Sequence, residues 1–234
     1  AIVDYGCLNN SPSLTVTVTI DASITNPADV DYALDGSGSY QASNVFTNVS
    51  PGFHFITARH TNGCEKDTPN FEILQINPLT LVLSDGGLNE IVATTTGGSP
   101  GYRYTLNGED YGSQNTFIFY KSGDYTVTVT DSNGCVATAT RYFEFVDIKI
   151  PNVFTPNGDG DNDGWLPTNT MNYPDLIFHI FDRYGRKVGT YREGQFWDGK
   201  YNGLELPTGD YWYVLKLQNE NDSREFVGHF TLYR

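Results

Sequence analysis

The chain has 234 residues, with 14 Lys or Arg against 28 Asp or Glu and a net charge of −14 at pH 7. This negative charge argues against a nucleic-acid-binding protein, whose first requirement is a basic face. Aromatic residues make up 14% of the chain and apolar residues 38%, which argues against an intrinsically disordered segment. No apolar run approaches the roughly 20 residues of a membrane-spanning helix, so we expect no membrane-spanning segment.

An internal repeat organises the first part of the chain. Tyr32–Gly36 returns as Tyr104–Gly108, and Asn62–Cys64 returns as Asn133–Cys135, each shifted by 71 or 72 residues. Self-similarity at a fixed period indicates copies of one structural module. We therefore predict two copies of one module before the last part of the chain.

Alternating apolar and hydroxyl side chains predict the structure of this module. Ser13–Ile20 places Leu and β-branched residues on one face and hydroxyls on the other, and Tyr125–Thr130 does the same. Since strand side chains point alternately to opposite faces, this pattern is typical of half-buried antiparallel strands. Nothing in the first 146 residues indicates a helix. Short strands in units of about 70 residues favour β-sandwiches.

A Gly-x-Tyr step supports this assignment. Tyr125 and Tyr211 each follow a glycine by two positions, as in the tyrosine corner of immunoglobulin-like sandwiches. In the first copy His54 occupies the tyrosine position, and we interpret it as a buried histidine with an alternative hydrogen bond. Three such steps predict three consecutive antiparallel β-sandwiches in an all-β protein. The predicted domains are residues 1–76 and 77–146, both immunoglobulin-like repeats, and residues 147–234.

A loop rich in aspartate is the clearest candidate metal site. Side-chain oxygens recur at every second position, on Asn157, Asp159, Asp161 and Asp163. Clustered carboxylates favour a hard cation such as Ca²⁺, which prefers six to eight oxygen ligands. The glutamate that completes an EF-hand loop is missing, because its position is occupied by Thr170. The loop therefore predicts a structural calcium ion, with a solvated turn as the alternative.

The first two modules resemble the repeats of large bacterial surface adhesins that are linked to gliding in Bacteroidetes. The similarity lies in residues 97–104, in Gly123–Asp131 and in the Asn-Gly-Cys that follows. It implies immunoglobulin-type spacers. These repeats usually contain a cysteine pair at the positions of Cys7 and Cys64. We expect a Cys7–Cys64 disulfide with Cys135 free, or else free thiols at both positions; a disulfide implies an oxidising compartment.

The last part of the chain resembles the gliding-motility-associated C-terminal domain, the type B sorting signal of the type IX secretion system of Bacteroidetes. The similar segments are Phe154–Gly160, Asn162-Asp163, Tyr173-Pro174, Ile180–Gly185, Trp197–Gly199, Leu206–Tyr211 and Leu232–Arg234. The resemblance implies a small β-sandwich that marks its cargo for export across the outer membrane to the cell surface or the extracellular space. The implied partners are outer-membrane components of the translocon, including a barrel of the PorP/SprF type.

Basic residues gather in this last domain. Four of them are close in sequence in a predicted hairpin: Arg183, Arg186, Lys187 and Arg192. Since arginine is favoured at interfaces for its planar donor fork, we predict that these residues dock on a receptor. An ordinary solvated hairpin is the alternative.

These features predict a non-catalytic region, because the H-E-x-x-H and G-x-S-x-G motifs are both missing. The repeats are interpreted as an adhesin stalk for gliding motility or adhesion, and the last domain as the sorting signal. The chain starts with Ala1 and has no leader, so we expect a fragment of a longer secreted protein. The alternative is a carbohydrate-binding accessory region of a secreted enzyme, and surface glycans are candidate partners of upstream regions.

Overall fold

A computed structural model describes residues 1–21 and 26–234. β-Strands dominate, and the described residues contain a single 3-10 turn, Pro27–Asp29, and no α-helix. Within this part of the chain no helix is long and apolar enough to cross a membrane. Two compact units are formed: Ala1–Ser84 with Ala93–Asn115 and Tyr125–Arg141, and Asp85–Val92 with Thr116–Asp124 and Tyr142–Arg234. The all-β prediction is confirmed.

The first repeat is built from short antiparallel strands. They are β1 (Ile2–Leu8), β2 (Ser11–Thr17), β3 (Val30–Leu34), β4 (Val45–Thr47), β5 (Gly52–His54), β6 (Ile56–His60), β7 (Glu65–Asp67) and β8 (Phe71–Ile73). Their sheets have the orders β1-β2-β4, β3-β6-β7 and β5-β8. Val16 and Val18 are buried, as the alternating pattern predicts, in a core with Val30, Tyr32, Val49, Ile56 and Ile73.

The second repeat reproduces this strand order. Its strands are β9 (Thr80–Asp85), β10 (Glu90–Thr96), β11 (Arg103–Leu106), β12 (Glu109–Gly112), β13 (Thr116–Ile118), β14 (Gly123–Thr130) and β15 (Val136–Phe143). The sheet β13-β10-β9 corresponds to β4-β2-β1, and β11-β14-β15 corresponds to β3-β6-β7, with β12 added at the edge. Tyr125, Val127 and Val129 are buried on one face of β14, so the predicted pattern is confirmed.

Residues 147–234 form a separate set of strands. They are β16 (Val153–Phe154), β17 (Ile177–Phe181), β18 (Lys187–Arg192), β19 (Lys200–Tyr201), β20 (Leu204–Glu205), β21 (Gly209–Lys216) and β22 (Glu225–Leu232). Five of them form one sheet in the order β16-β22-β21-β17-β18, in which β16 is parallel to β22. The inner face of this sheet packs on loops that contain Trp165, Tyr173 and Trp197.

Hydrogen bonds at two of the three Gly-x-Tyr positions, those of Tyr211 and His54, confirm the corner interpretation there. The hydroxyl of Tyr211 donates to the carbonyl of Pro207, four residues earlier, at 3.0 Å. Nε2 of His54 lies 2.8 Å from the carbonyl of Ser50, also four residues earlier, and Nδ1 lies 2.7 Å from the Asp35 carboxylate. Both ring nitrogens therefore face acceptors, and only the imidazolium form of His54 can donate to both.

The protonation of His54 predicts a pH-dependent stability. The hydrogen bond to Asp35, opposed by burial, raises the pKa of His54 above its ordinary value of 6.5. A raised pKa contributes stability that is fully present below pH 6.5 and is lost as pH rises through the folded-state pKa. We expect the unfolding temperature of the first repeat, measured by calorimetry, to fall between pH 6 and pH 8. His54→Tyr should remove this decrease, and the exposed-site control His229→Tyr should keep it; a decrease that survives His54→Tyr contradicts the prediction.

The disulfide joins the two repeats, and the predicted Cys7–Cys64 pairing is wrong. Cys7 is bonded to Cys135, with their Cα atoms 5.1 Å apart, and Cys64 is an exposed free thiol. The reason is a contact between distant segments. The side chain of Asn10 donates to the carbonyl of Val136 at 2.5 Å and accepts from its N–H at 2.6 Å. This contact brings the end of the β1–β2 hairpin against the residue that follows Cys135.

Candidate functional site

Trp197, from one of the motif segments, and Trp165, which follows the aspartate-rich loop, form the centre of the core of residues 147–234. Trp165 stacks on Phe230 with ring centroids 4.1 Å apart, and Trp197 packs edge-on against the same ring at 5.9 Å. Their backbones exchange hydrogen bonds of 2.8 and 3.0 Å. Both indoles are fully buried, and their N–H groups donate to the carbonyls of Pro151 and Lys200. The two indoles therefore have a structural role in the core of the domain.

Hydrogen bonds within the aspartate-rich loop use many of its carboxylate oxygens. The two oxygens of Asp163 accept the N–H groups of Gly158 and Gly160 at 2.7 and 2.9 Å. The side chain of Asn157 accepts the N–H of Asp159 at 3.1 Å. Gly158 and Gly160 have φ of 82° and 93°, a region that favours glycine. The loop is thus a series of tight turns that its own side chains close.

The calcium site stays a prediction. Among the described residues, no group of three His, Cys, Asp or Glu side chains is arranged to share a metal ion. If Asn157, Asp159, Asp161 and Asp163 bind Ca²⁺, millimolar CaCl₂ should raise the unfolding temperature that tryptophan fluorescence reports, and Asp161→Asn should reduce this rise. Equal temperatures in CaCl₂ and in EDTA contradict the prediction.

Arg234 joins three of the motif segments. Its guanidinium donates to the carbonyls of Pro156, Gly199 and Leu206 at distances of 3.2–3.3 Å. It also forms an ion pair with Glu205 at 3.1 Å, and 21% of its side chain is exposed. Arginine suits this position because its planar fork presents several donors at once. The segments that the sequence resemblance identified separately are therefore held together in space.

Gly199 has no room for a side chain, and this predicts an effect on stability. Its φ is +78°, and a Cβ atom would lie 2.8 Å from Leu232 and 2.9 Å from Arg234. Gly203 has a φ of +79° with nothing within 4 Å of a Cβ, so it is a matched control. We expect Gly199→Ala to lower the free energy of unfolding by about 2–3 kcal/mol and Gly203→Ala by about 1 kcal/mol. Urea denaturation followed by tryptophan fluorescence measures both, and equal losses contradict the prediction.

Asp182 organises the turn between β17 and β18. One of its oxygens accepts the N–H groups of Tyr184 and Arg186 at 3.0 Å, and the other accepts Nε of Arg186 at 2.9 Å. Burial would raise the pKa of Asp182, but these hydrogen bonds outweigh burial and lower the pKa. The turn presents Arg183 and Tyr184, whose side chain is 84% exposed, beside a groove of about 90 Å³ along Leu206–Tyr211.

The predicted docking residues are only partly brought together. Arg183, Arg186 and Lys187 lie in or beside this turn, but Arg192 lies at the opposite end of β18, about 16 Å away along the strand. Arg186 is paired with Asp182 and its guanidinium lies 4.9 Å from the ring of Tyr201, so its contacts stabilise the turn. A docking role for these four residues stays a prediction. Tyr184 was not in the predicted set.

The motif segments that meet at Arg234 belong to one matched stretch of sequence, which also contains the Trp165–Trp197 pair. Residues 148–232 match the CHU_C type IX secretion signal domain. We refer to residues 147–234 as the secretion signal domain. No curated protein matches the chain.

Several solved structures are similar to the chain at low identity. The three N-terminal domains of the highly immunogenic outer capsid protein of bacteriophage RB49 share 15% identity at a TM-score of 0.40, over 98% of this chain and 96% of that one. A C-terminal fragment of intimin shares 15% identity at a TM-score of 0.35, over 66% of this chain and 68% of that one. PorZ, a type IX secretion component of Porphyromonas gingivalis, shares 11% identity at a TM-score of 0.25, over 99% of this chain and 39% of that one. TM-scores below 0.5 carry no argument about function.

The secretion signal domain defines what this region does. It implies export to the cell surface or the extracellular space and an interaction with the type IX machinery. The chain therefore contains the sorting region of a secreted protein. The match to a secretion signal domain and the all-β fold favour a non-catalytic role for this region.

A buried polar network in the secretion signal domain was not predicted from sequence. The hydroxyl of Tyr173 donates to Asp222 at 2.8 Å, and the guanidinium of Arg224 binds both oxygens of Asp222 at 2.7 and 2.8 Å. The same guanidinium binds both oxygens of Asp147 at 2.8 and 2.9 Å. These hydrogen bonds from Arg224 are the main reason that the pKa values of Asp222 and Asp147 are lowered. The network connects the start of the domain to the β21–β22 loop.

Two segments of the second repeat, Asp85–Val92 and Thr116–Asp124, belong to the same compact unit as the secretion signal domain. Asn172 donates to the carbonyl of Leu88 at 2.6 Å, and Asn219 donates to the hydroxyl of Tyr120 at 3.0 Å. The rings of Tyr120 and Tyr173 lie 5.8 Å apart. The packing of the secretion signal domain therefore includes residues that precede Asp147.

Proposed function

We propose that the chain is the stalk and sorting region of a cell-surface adhesin that acts in gliding motility or adhesion in Bacteroidetes. The observation that carries this proposal is the match of residues 148–232 to the type IX secretion signal domain. In this proposal residues 1–76 and 77–146 are two immunoglobulin-like spacer domains, and residues 147–234 direct export. The spacers hold 15 acidic and 5 basic residues in the first 146, which suits a soluble stalk.

The turn between β17 and β18 is the proposed docking surface for an outer-membrane component of the translocon, such as a barrel of the PorP/SprF type. Tyrosine and arginine dominate the binding energy of many interfaces, and here Arg183 and Tyr184 share one turn. Within residues 1–21 and 26–234, neither Arg183 nor Lys187 forms an ion pair, so both charges are available to a partner. Since Asp182 already fixes the turn, little conformational entropy is lost when a partner binds.

An export experiment tests this function. We fuse residues 77–234 to an exported reporter and measure the fraction of reporter that external protease can reach on intact cells. The longer segment is used because loops 85–92 and 116–124 pack with the secretion signal domain. The fusion should reach the surface, and a fusion without residues 147–234 should stay inside. Retention of the complete fusion contradicts the sorting proposal.

Variants of the same fusion test the docking surface. Arg183→Glu combined with Tyr184→Ala should reduce surface reporter at least tenfold. Arg192→Glu is the matched control, because it reverses a charge on the same hairpin at the far end of β18. Urea denaturation of each purified variant confirms that the domain is folded. Unchanged export of the double variant excludes docking at this turn while leaving the sorting function intact.

A further inference from the structure

The two Asn-Gly-Cys turns have the same backbone structure. In the first repeat the N–H of His60 donates to the carbonyl of Cys64, and the N–H of Gly63 donates to the carbonyl of His60. In the second repeat Asp131, Gly134 and Cys135 make the same two bonds. The two glycines have φ of 90° and 84°. Cys64 and Cys135 are thus equivalent positions of one turn.

In the second repeat this turn receives the first hairpin of the repeat before it. Cys135 is bonded to Cys7 of β1, and the backbone of Val136 is paired with the side chain of Asn10. Asn9 and Asn10 form the hairpin tip with φ of 51° and 58°, values that give a tight turn. The contact therefore has two parts, a disulfide and a pair of hydrogen bonds to the edge strand β15.

The first repeat has the same cysteine and the same edge-strand backbone, and no hairpin is bound to them among the described residues. Cys64 is exposed and free, whereas Cys135 is 1% exposed. His60 and Cys64 form a hydrogen-bonded pair of the antiparallel ladder. Since the two kinds of pair alternate, the next pair, Arg59 and Glu65, is a non-hydrogen-bonded pair. The N–H and C=O of Glu65 consequently point outward from the edge strand β7, as those of Val136 do from β15.

We propose that Cys64 is the receiving half of a second disulfide between repeats. Its partner is a cysteine at the position of Cys7 in the first hairpin of another copy of this repeat, linked on the N-terminal side. The direction follows from the bridge already formed, in which the hairpin of one repeat is joined to the turn of the next. The second repeat has no cysteine in β9, the strand equivalent to β1. Its turn is therefore bonded to the hairpin of the repeat before it, but its own first hairpin has no cysteine that could bond to a following repeat.

The chemistry is a thiol–disulfide exchange with a disulfide oxidant. The Cys64 thiolate attacks one sulfur of the oxidant, which forms a mixed disulfide and releases one thiol. The thiolate of the incoming hairpin then attacks Sγ of Cys64 and releases the second thiol. Two protein thiols and one oxidant disulfide thus give one protein disulfide and two small thiols. An exported protein meets such oxidants outside the cytoplasm.

A duplicated repeat tests the proposal. Residues 1–76 are added before the complete 234-residue chain, and the added copy is marked by Leu8→Val and Lys66→Arg so that its peptides differ in mass. After equilibration in reduced and oxidised glutathione, peptides are mapped without reduction. We expect the added Cys7 to be linked to Cys64 of the original chain in most molecules, the Cys7–Cys135 bond to persist, and the added Cys64 to be the one free thiol. Cys7→Ser in the added copy should free the original Cys64.

Three results would overturn the proposal: a free Cys64 in the original chain, a Cys7–Cys64 bond within the added copy, or dimers joined through Cys64. A second measurement uses the 234-residue chain unchanged, in case the added copy fails to fold. A peptide of residues 2–17, activated at its cysteine as a mixed disulfide, should react with Cys64 at least tenfold faster than the same peptide with Asn10→Ala. Equal rates would mean that Cys64 is an ordinary exposed thiol.

Discussion

Cys7→Ser is expected to lower the free energy of unfolding of the first compact unit by about 2–4 kcal/mol. The bridge joins residues 128 positions apart, and a long closed loop removes much of the entropy of the unfolded chain. Loss of the bond also leaves the contact between Asn10 and Val136 to depend on hydrogen bonds alone. Urea denaturation followed by far-UV circular dichroism measures the loss, and hydrogen exchange at β1 and β15 locates it.

Cys64→Ser is the matched control for this experiment. Cys64 is exposed and free, so its replacement should change the free energy of unfolding by less than about 0.5 kcal/mol. Peptide mapping of the unreduced wild-type protein should recover Cys7 linked to Cys135. Similar, large losses for Cys7→Ser and Cys64→Ser, with Cys7 recovered linked to Cys64, would restore the pairing that the sequence suggested.

Arg224→Ala is expected to lower the free energy of unfolding of the secretion signal domain by about 3 kcal/mol. The side chain of Asp222 is 6% exposed, and without the guanidinium of Arg224 its buried charge keeps the hydroxyl of Tyr173 and the backbone N–H of residue 224 as partners but loses its cation. Tryptophan fluorescence reports the loss selectively, because Trp165, Trp197 and Trp212 all lie in this domain.

Lys216→Ala is the control for the Arg224 substitution, since it also removes a cation from an ion pair. Lys216 and Glu225 lie 3.0 Å apart on the surface, both 46% exposed, and such pairs contribute about 0–1 kcal/mol.

Unfolding at acid pH provides a second comparison between wild type and Arg224→Ala. The lowered pKa of Asp222 gives stability above the ordinary value of 3.8 that is lost as pH falls, so wild type should lose more stability by pH 3 than Arg224→Ala. Similar losses for Arg224→Ala and Lys216→Ala contradict the assignment.

Local sequence predicted the features that depend on local physics. The alternation around Val16 and around Val127 gave the correct buried faces, because strand periodicity is a property of the backbone. The interpretation of His54 was also correct, because its partner Ser50 lies only four residues away. The repeat itself followed from matching turn residues, and both copies have the same strand order.

Contacts between distant segments could not be predicted from one sequence. The disulfide depends on where the β1–β2 hairpin lies, and that depends on Asn10 and Val136, which are 126 residues apart. Likewise Arg224 and Asp147 are 77 positions apart, and no motif connects them. Arg192 and Arg183 are near in sequence, but the length of β18 separates them in space.

The Cys7–Cys135 bond also determines how the chain responds to mechanical load. When the chain is pulled from its ends, tension passes from β1 through the disulfide directly to the start of β15, and the residues between them bear none of it. Fully extended, those residues would span about 430 Å. The segment between Cys7 and Cys135 therefore lengthens little under force while oxidised, and reduction of this single bond releases its length.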